Sequence, residues 1–212
     1  MSEEHANIKE SYKSWPDLNP AAKRKENTMA DKKILVLCAS ARKNGNSEML
    51  ADAFIEGAKA AGGTITKLNL YDMNIKGCNA CNGCWNSGGN CVVKDDMQQL
   101  HPLLEEADVL VLASPLYWSS FPAQMKAPID RIYQYDPHNG GKQLKIGQAV
   151  LLTTGETENE GDFDMIKQLF TVFAEFNGME VAGIIAVPSV NYAGDIKGNA
   201  ALEQAKALGA SL

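Results

Sequence analysis

The sequence predicts an α/β fold: a five-stranded parallel sheet covered on both faces by helices. Three observations carry this. Short continuous apolar runs of the buried-strand type recur along the chain. Segments with apolar residues at helical spacing alternate with them, which is the pattern of βα units. The 212 residues are 45% hydrophobic and 22% charged, enough for one domain with a substantial core.

The elements follow in order. Ile34-Leu35-Val36-Leu37 is strand one. Met49, Leu50, Ala53, Phe54 and Ala58 define a helix over 47–61, which Gly62-Gly63 ends. Residues 64–70 alternate as strand two. A cysteine-rich loop occupies 76–95, and a helix over about 96–107 follows it. Residues 109–113 are strand three, 122–133 a helix, and 148–154 strand four. A helix over 163–176, a fifth strand over 183–187 and a helix over 199–210 complete the domain, which runs from 29 to 212. Residues 1–28 form a separate polar arm in which five acidic and five basic side chains cancel. No internal repeat or low-complexity segment is evident.

The formal charge of −6 excludes nucleic acid as a general partner, because phosphate binding needs clustered Lys and Arg. No apolar run reaches bilayer length, so no membrane partner is expected. The N-terminus lacks the apolar core of a signal peptide. The expected location is the cytoplasm, where thiols stay reduced.

In open parallel sheets ligands bind beyond the carboxyl ends of the strands. The unusual residues lie there. After strand one, Ser40-Ala41-Arg42-Lys43-Asn44-Gly45-Asn46-Ser47 leads into a helix. Hydroxyls, a guanidinium and a helix N-terminus together suit a terminal phosphate. The other reading is a plain turn with Ser47 as helix cap. Neither a Walker loop nor Gly-x-Gly-x-x-Gly is present. After strand three, Pro115-Leu116-Tyr117-Trp118 offers aromatic faces for a planar ring, while Phe121 reads as core. After strand four, Thr154-Gly155-Glu156 permits close backbone approach.

Cys78, Cys81, Cys84 and Cys91 crowd into one Gly- and Asn-rich loop. This spacing suits an iron–sulfur cluster; zinc, free thiols and a redox disulfide are the alternatives. Cys38 continues a buried strand and reads as core. Asp95 or Asp96 reads as the cap of the next helix. The 126–131 segment reads as a packing or dimer face. His101 and His138 lack a paired carboxylate or nucleophile, and no catalytic side chain is predicted.

Ser40-Ala41-Arg42 through Gly45-Asn46-Ser47, Pro115-Leu116-Tyr117-Trp118 and Lys126-Ala127-Pro128-Ile129-Asp130-Arg131 together resemble the NADPH-dependent FMN reductase family of flavodoxin-like proteins. The cysteine stretch followed by Lys94-Asp95-Asp96-Met97 resembles its iron–sulfur flavoprotein branch. The resemblance spans roughly residues 32–190. It implies a three-layer flavodoxin-like sandwich with strand order 2-1-3-4-5. It implies FMN, with the phosphate on Ser40, Arg42, Asn46 and Ser47 and the ring against 115–118 and 154–156. NAD(P)H would be the electron donor, and a quinone, a flavin or another small molecule the acceptor. The alternative is an electron-transfer protein with a ferredoxin-like partner and a [4Fe-4S] cluster on the four cysteines. A homodimer or homotetramer is expected. The family's usual Gly-Ser-Pro-Arg is Ala39-Ser40-Ala41-Arg42 here, which keeps the hydroxyl and the guanidinium.

Overall fold

A computed structural model of the chain describes residues 32–136 and 141–212. The expected arm over 1–28 and His138 lie outside the described residues. The strands are β1 (Lys33–Cys38), β2 (Thr64–Asn69), β3 (Val109–Pro115), β4 (Gln148–Thr154) and β5 (Glu180–Val187). The principal helices are α1 (Asn46–Ala60), α2 (Met97–Glu106), α3 (Ala123–Arg131), α4 (Asp164–Phe176) and α5 (Ala200–Ser211). All strand pairs are parallel, in the order β2-β1-β3-β4-β5. From β1 the chain steps outward to β2 on one side, and β3 lies on the other. The topological switch therefore falls between β1 and β3, and a crevice opens above their carboxyl ends.

Strand alternation divides the core into two layers. Ile34, Val36, Val109, Val111, Val150 and Leu152 face α1 and α5, where Leu50, Phe54, Ala201 and Ala205 cover them. Leu35, Leu37, Leu110, Leu112 and Leu151 face the other way, under Leu100 and Leu104 of α2 and Ile166 and Phe170 of α4. β1, β3 and β4 are thus buried on both faces, which is why they read as continuous apolar runs. Cys38 belongs to the first layer, and burial pushes its thiol up to about 12. Phe121 belongs to the second, as its sequence context suggests.

Two features stand furthest from the sequence reading, the remaining boundaries shifting by no more than two residues. β5 begins at Glu180 rather than Gly183, pairing with Gln148 ahead of a register shift at Ala149/Val150. As an edge strand it is only half-buried, so its first residues lack the apolar signature. The cysteine loop contains a helical turn, Gly83–Asn86, entered through Asn82 at φ 53°. Among the described residues no helix is long and apolar enough to cross a membrane.

Candidate functional site

A cavity of about 580 Å³ opens above the switch point. Its volume lies within the range of small-molecule and cofactor sites, about 300–1,000 Å³. Ser40, Arg42, Asn46, Ser47, Pro115, Leu116, Tyr117, Trp118, Thr154, Gly155 and Glu156 all line it. The structure therefore brings together residues that stand more than 100 positions apart in the chain. Gly45, Val190 and Asn191 complete the wall. Val190 and Asn191 were not anticipated, although they follow the carboxyl end of β5, where the strand-end rule points.

The loop after β1 is folded tightly on itself. Ser40 Oγ accepts the Arg42 N–H at 3.1 Å and donates to the Arg42 carbonyl at 3.1 Å. Gly45 sits against this turn: a Cβ there would lie 2.7 Å from Ser40 Oγ and 2.9 Å from the Arg42 carbonyl. Gly45 is the N-cap of α1, and no side chain caps this end of the helix. Asn46 and Ser47 line the cavity at this end of α1, which sets the first-turn N–H groups and the positive dipole end beside it, while the Gly45 N–H donates to the Arg42 carbonyl at 3.0 Å. Arg42 is exposed, and its guanidinium donates to the Asn191 carbonyl across the cavity.

The Asn46 side chain is engaged elsewhere. Its Nδ2 donates to the Tyr192 carbonyl at 2.9 Å, and its Oδ1 accepts N–H groups of Gly194 at 3.0 Å and Ile196 at 3.3 Å. What Asn46 turns to the cavity as a donor is its backbone, while its buried side chain ties the 190–196 loop to α1. Asn46→Ala strands two amides and is expected to cost about 2–4 kcal/mol. A shift of the urea midpoint at constant slope checks this.

The loop after β3 is a tight hairpin. Tyr117 and Ser120 exchange two backbone hydrogen bonds of 3.0 Å, and Trp118 and Ser119 between them both have positive φ, 49° and 57°. This is the geometry of a type I′ turn without glycine, a costly choice. It leaves Tyr117 half-exposed and Trp118 99% exposed beside the cavity. Leu116 N–H donates to the Thr154 carbonyl at 2.8 Å, and Val190 N–H to the Gly155 carbonyl at 2.9 Å, so the loops brace one another.

The cysteine loop is pinned by a buried ion pair. Arg131, the last residue of α3, meets both carboxylate oxygens of Asp95 at 2.7 and 2.6 Å, and each side chain is 1% exposed. The 126–131 segment is thus more than a packing face. Asp95 also accepts N–H groups of Lys76 at 2.9 Å and Met97 at 3.1 Å, the latter in line with a capping role. Burial acts to raise the Asp95 pKa. The Arg131 guanidinium and these two N–H groups outweigh it and hold the carboxyl below its usual value.

Cys78 and Cys81 are exposed, and Cys84 and Cys91 half-buried. N–H donors point at the sulfurs: Ala80 N–H at Cys78 Sγ (3.5 Å) and Arg131 Nη2 at Cys91 Sγ (3.3 Å). Burial raises the Cys84 pKa. The N–H groups of Trp85 and Cys84 oppose that rise, and the nearby Cys91 and Cys78 sulfurs add to it. Among the described residues no three Cys, His, Asp or Glu side chains gather tightly enough to hold a single metal ion.

Buried donors without partners lie in and beside this loop, with Thr153, on β4, the exception. Among the described residues, four buried side-chain N or O atoms lack a hydrogen bond: Trp85 Nε1, His101 Nε2, Arg131 Nε and Thr153 Oγ1. Trp85 lies within the loop, and Arg131 contacts Cys91. His101 is one link further: Gln134 Oε1 accepts the Cys91 N–H at 2.8 Å, and Gln134 Nε2 meets His101 Nδ1 at 2.8 Å. Because the amide oxygen is committed to Cys91, its nitrogen donates to Nδ1, which places the ring proton on Nε2. Burial, then the Arg131 charge, lowers the His101 pKa and keeps the ring neutral at pH 7.

An iron–sulfur flavoprotein of Methanosarcina thermophila is 30% identical over 171 residues, covering 81% of this chain and 85% of its own length. An uncharacterized NAD(P)H oxidoreductase of Escherichia coli K12 is 30% identical over 136 residues, 62% of this chain and 69% of its own. The solved structure of an NAD(P)H:quinone oxidoreductase from Methanothermobacter marburgensis shares the fold at 23% identity and a TM-score of 0.65. That superposition covers 85% of this chain and 94% of the other. The family profile described as flavodoxin-like fold matches residues 32–210, and with this strand order and switch-point cavity the chain belongs to the flavodoxin-like fold family.

Proposed function

We propose that this chain is an FMN-dependent oxidoreductase that draws electrons from NAD(P)H and passes them to a quinone, a flavin or another small acceptor. The observation that carries the reading is the make-up of the cavity over the switch point: an uncapped helix N-terminus with Ser40, Arg42 and Ser47 at one end, and the Leu116–Trp118 loop at the other. A phosphate monoester suits the first end and a flat aromatic ring the second. In this reading Arg42, Ser47 and the backbone N–H of Asn46 hold the FMN phosphate, and Ser40 joins them by turning its O–H from the Arg42 carbonyl to the phosphate. Leu116, Tyr117, Trp118 and Gly155 lie against the ring. FMN supplies hydride and electron transfer, so the protein's task is orientation and electrostatics, with no general acid or base required. The oxidoreductase relative supports this assignment.

Arg42→Ala removes a charge-assisted phosphate contact and is expected to weaken FMN binding by about 1.5–3 kcal/mol. Fluorescence titration of flavin-free protein reads this directly, and unchanged affinity would misplace the phosphate end.

A second reading is favoured by the orphaned donors around the thiol loop. Buried N–H groups without acceptors suit an anionic group, and four thiols with N–H donors aimed at their sulfurs suit an iron–sulfur cluster. Cys78, Cys81, Cys84 and Cys91 would hold it, and the iron–sulfur flavoprotein relative agrees. The chain would then exchange single electrons with a ferredoxin-like protein. Anaerobic addition of NADPH decides between the two: rapid flavin bleaching supports the enzyme, and reduction only through ferredoxin supports the carrier. A homo-oligomer is part of either reading. Exposed Met165, Leu169 and Val172 along the outer face of α4 support one, and light scattering would measure its size.

A further inference from the structure

We propose that Arg131 is the positioning residue of the thiol loop: it holds the Cys91 sulfur in place and, by donating to it, raises the reduction potential of the iron–sulfur group carried there. The proposal rests on the cluster reading above. Arg131 is 2% exposed, yet its guanidinium reaches both stems of the loop. Nη1 donates to the Lys76 carbonyl at 3.3 Å as well as to Asp95. Nη2 donates to the Val93 carbonyl at 3.2 Å and to Cys91 Sγ at 3.3 Å. Asp95 returns the contact by accepting the Lys76 N–H. Gln134, three residues after Arg131, accepts the Cys91 N–H. Cys91 is therefore fixed at its backbone nitrogen and at its sulfur from one segment, 131–134. Cys78 and Cys81 are exposed.

The electronic consequence follows from where charge goes. An electron added to a thiolate-bound cluster increases the negative charge on its sulfurs. A donor aimed at one of them stabilises the reduced form more than the oxidised form, which raises the potential. The Asp95 carboxylate balances the Arg131 charge, so the effect is that of a directed hydrogen bond rather than of net charge. A guanidinium does not deprotonate, so no proton accompanies the electron at this residue. Lysine cannot substitute, because one ammonium lacks the planar fork that spans Asp95, Val93 and Cys91.

The test is a potentiometric titration, followed by electron paramagnetic resonance, of anaerobically reconstituted full-length protein. Wild type is compared with Arg131→Lys and Arg131→Gln. If Arg131→Gln fails to fold because Asp95 is left unpaired, Arg131→Lys, which keeps a cation opposite it, carries the test. At the wild-type midpoint the reduced-to-oxidised ratio is expected to fall about tenfold, a shift of about 59 mV for one electron. If a variant binds less iron, the midpoint is read on the loaded fraction and the same criterion applies. An unchanged midpoint in an iron-bearing variant overturns the proposal and leaves the cluster reading intact. Wild-type protein that takes up no iron ends both.

Discussion

Asp95→Ala is expected to destabilise the folded protein by about 3–5 kcal/mol, the range for breaking a buried ion pair from one side. Both side chains are 1% exposed, so water cannot take over solvation of the abandoned guanidinium. The loss extends beyond the pair, because the Lys76 and Met97 N–H groups also lose their acceptor. Against a typical domain stability of about 5–15 kcal/mol this is a large fraction. The pH dependence has a definite sign. The folded Asp95 pKa lies below its unfolded value of about 3.9. Its contribution is complete above that value and is lost as pH falls through the lower, folded one. Urea midpoints in steps from pH 6 to pH 2.5 should fall more steeply for wild type than for Asp95→Ala below about pH 4. A variant within 1 kcal/mol of wild type at pH 7 would contradict the role given to this pair.

Gly57→Ala and Gly209→Ala should each destabilise by roughly 3 kcal/mol, the upper end for overpacking. Alanine is normally better than glycine in a helix by about 1 kcal/mol, so the expected sign is reversed from propensity. The reason is the crossing of α1 and α5. A Cβ on Gly57 would lie 1.9 Å from the Lys206 carbonyl oxygen, and one on Gly209 would lie 2.1 Å from the Phe54 carbonyl oxygen. Backbone, not a flexible side chain, stands in the way, so the helices must separate. That would open the layer that Phe54 and Ala205 close over the sheet. Stabilisation of either variant in thermal or urea unfolding would mean the two helices cross further apart.

The layer order was legible because β1, β3 and β4 are buried on both faces and so appear as unbroken apolar runs. All the cavity residues but Val190 and Asn191 were legible, because loops at strand carboxyl ends carry hydroxyls, a guanidinium and aromatics with little else to explain them. Four further features were not. Glu180 opens β5 on a half-exposed edge, where no hydrophobic pattern marks the start. Asn46 reads as a phosphate ligand, but its side chain is committed to residues about 150 positions away, which leaves its backbone N–H for that role. Arg131 reads only as part of a packing or dimer face, while its contacts lie 36 to 55 positions distant, beyond any local spacing. Gly57 likewise reads as an ordinary helix-interior residue until its neighbour across the crossing is known.

The proposed function puts a flavin in the cavity over the switch point, with its phosphate at the α1 N-terminus. Titrating flavin-free protein with FMN and, separately, with riboflavin tests it most directly. Binding of one FMN per chain is predicted, with riboflavin weaker and the gap between the two narrowed in Arg42→Ala. Equal affinity for both flavins, or no binding of either, would contradict it.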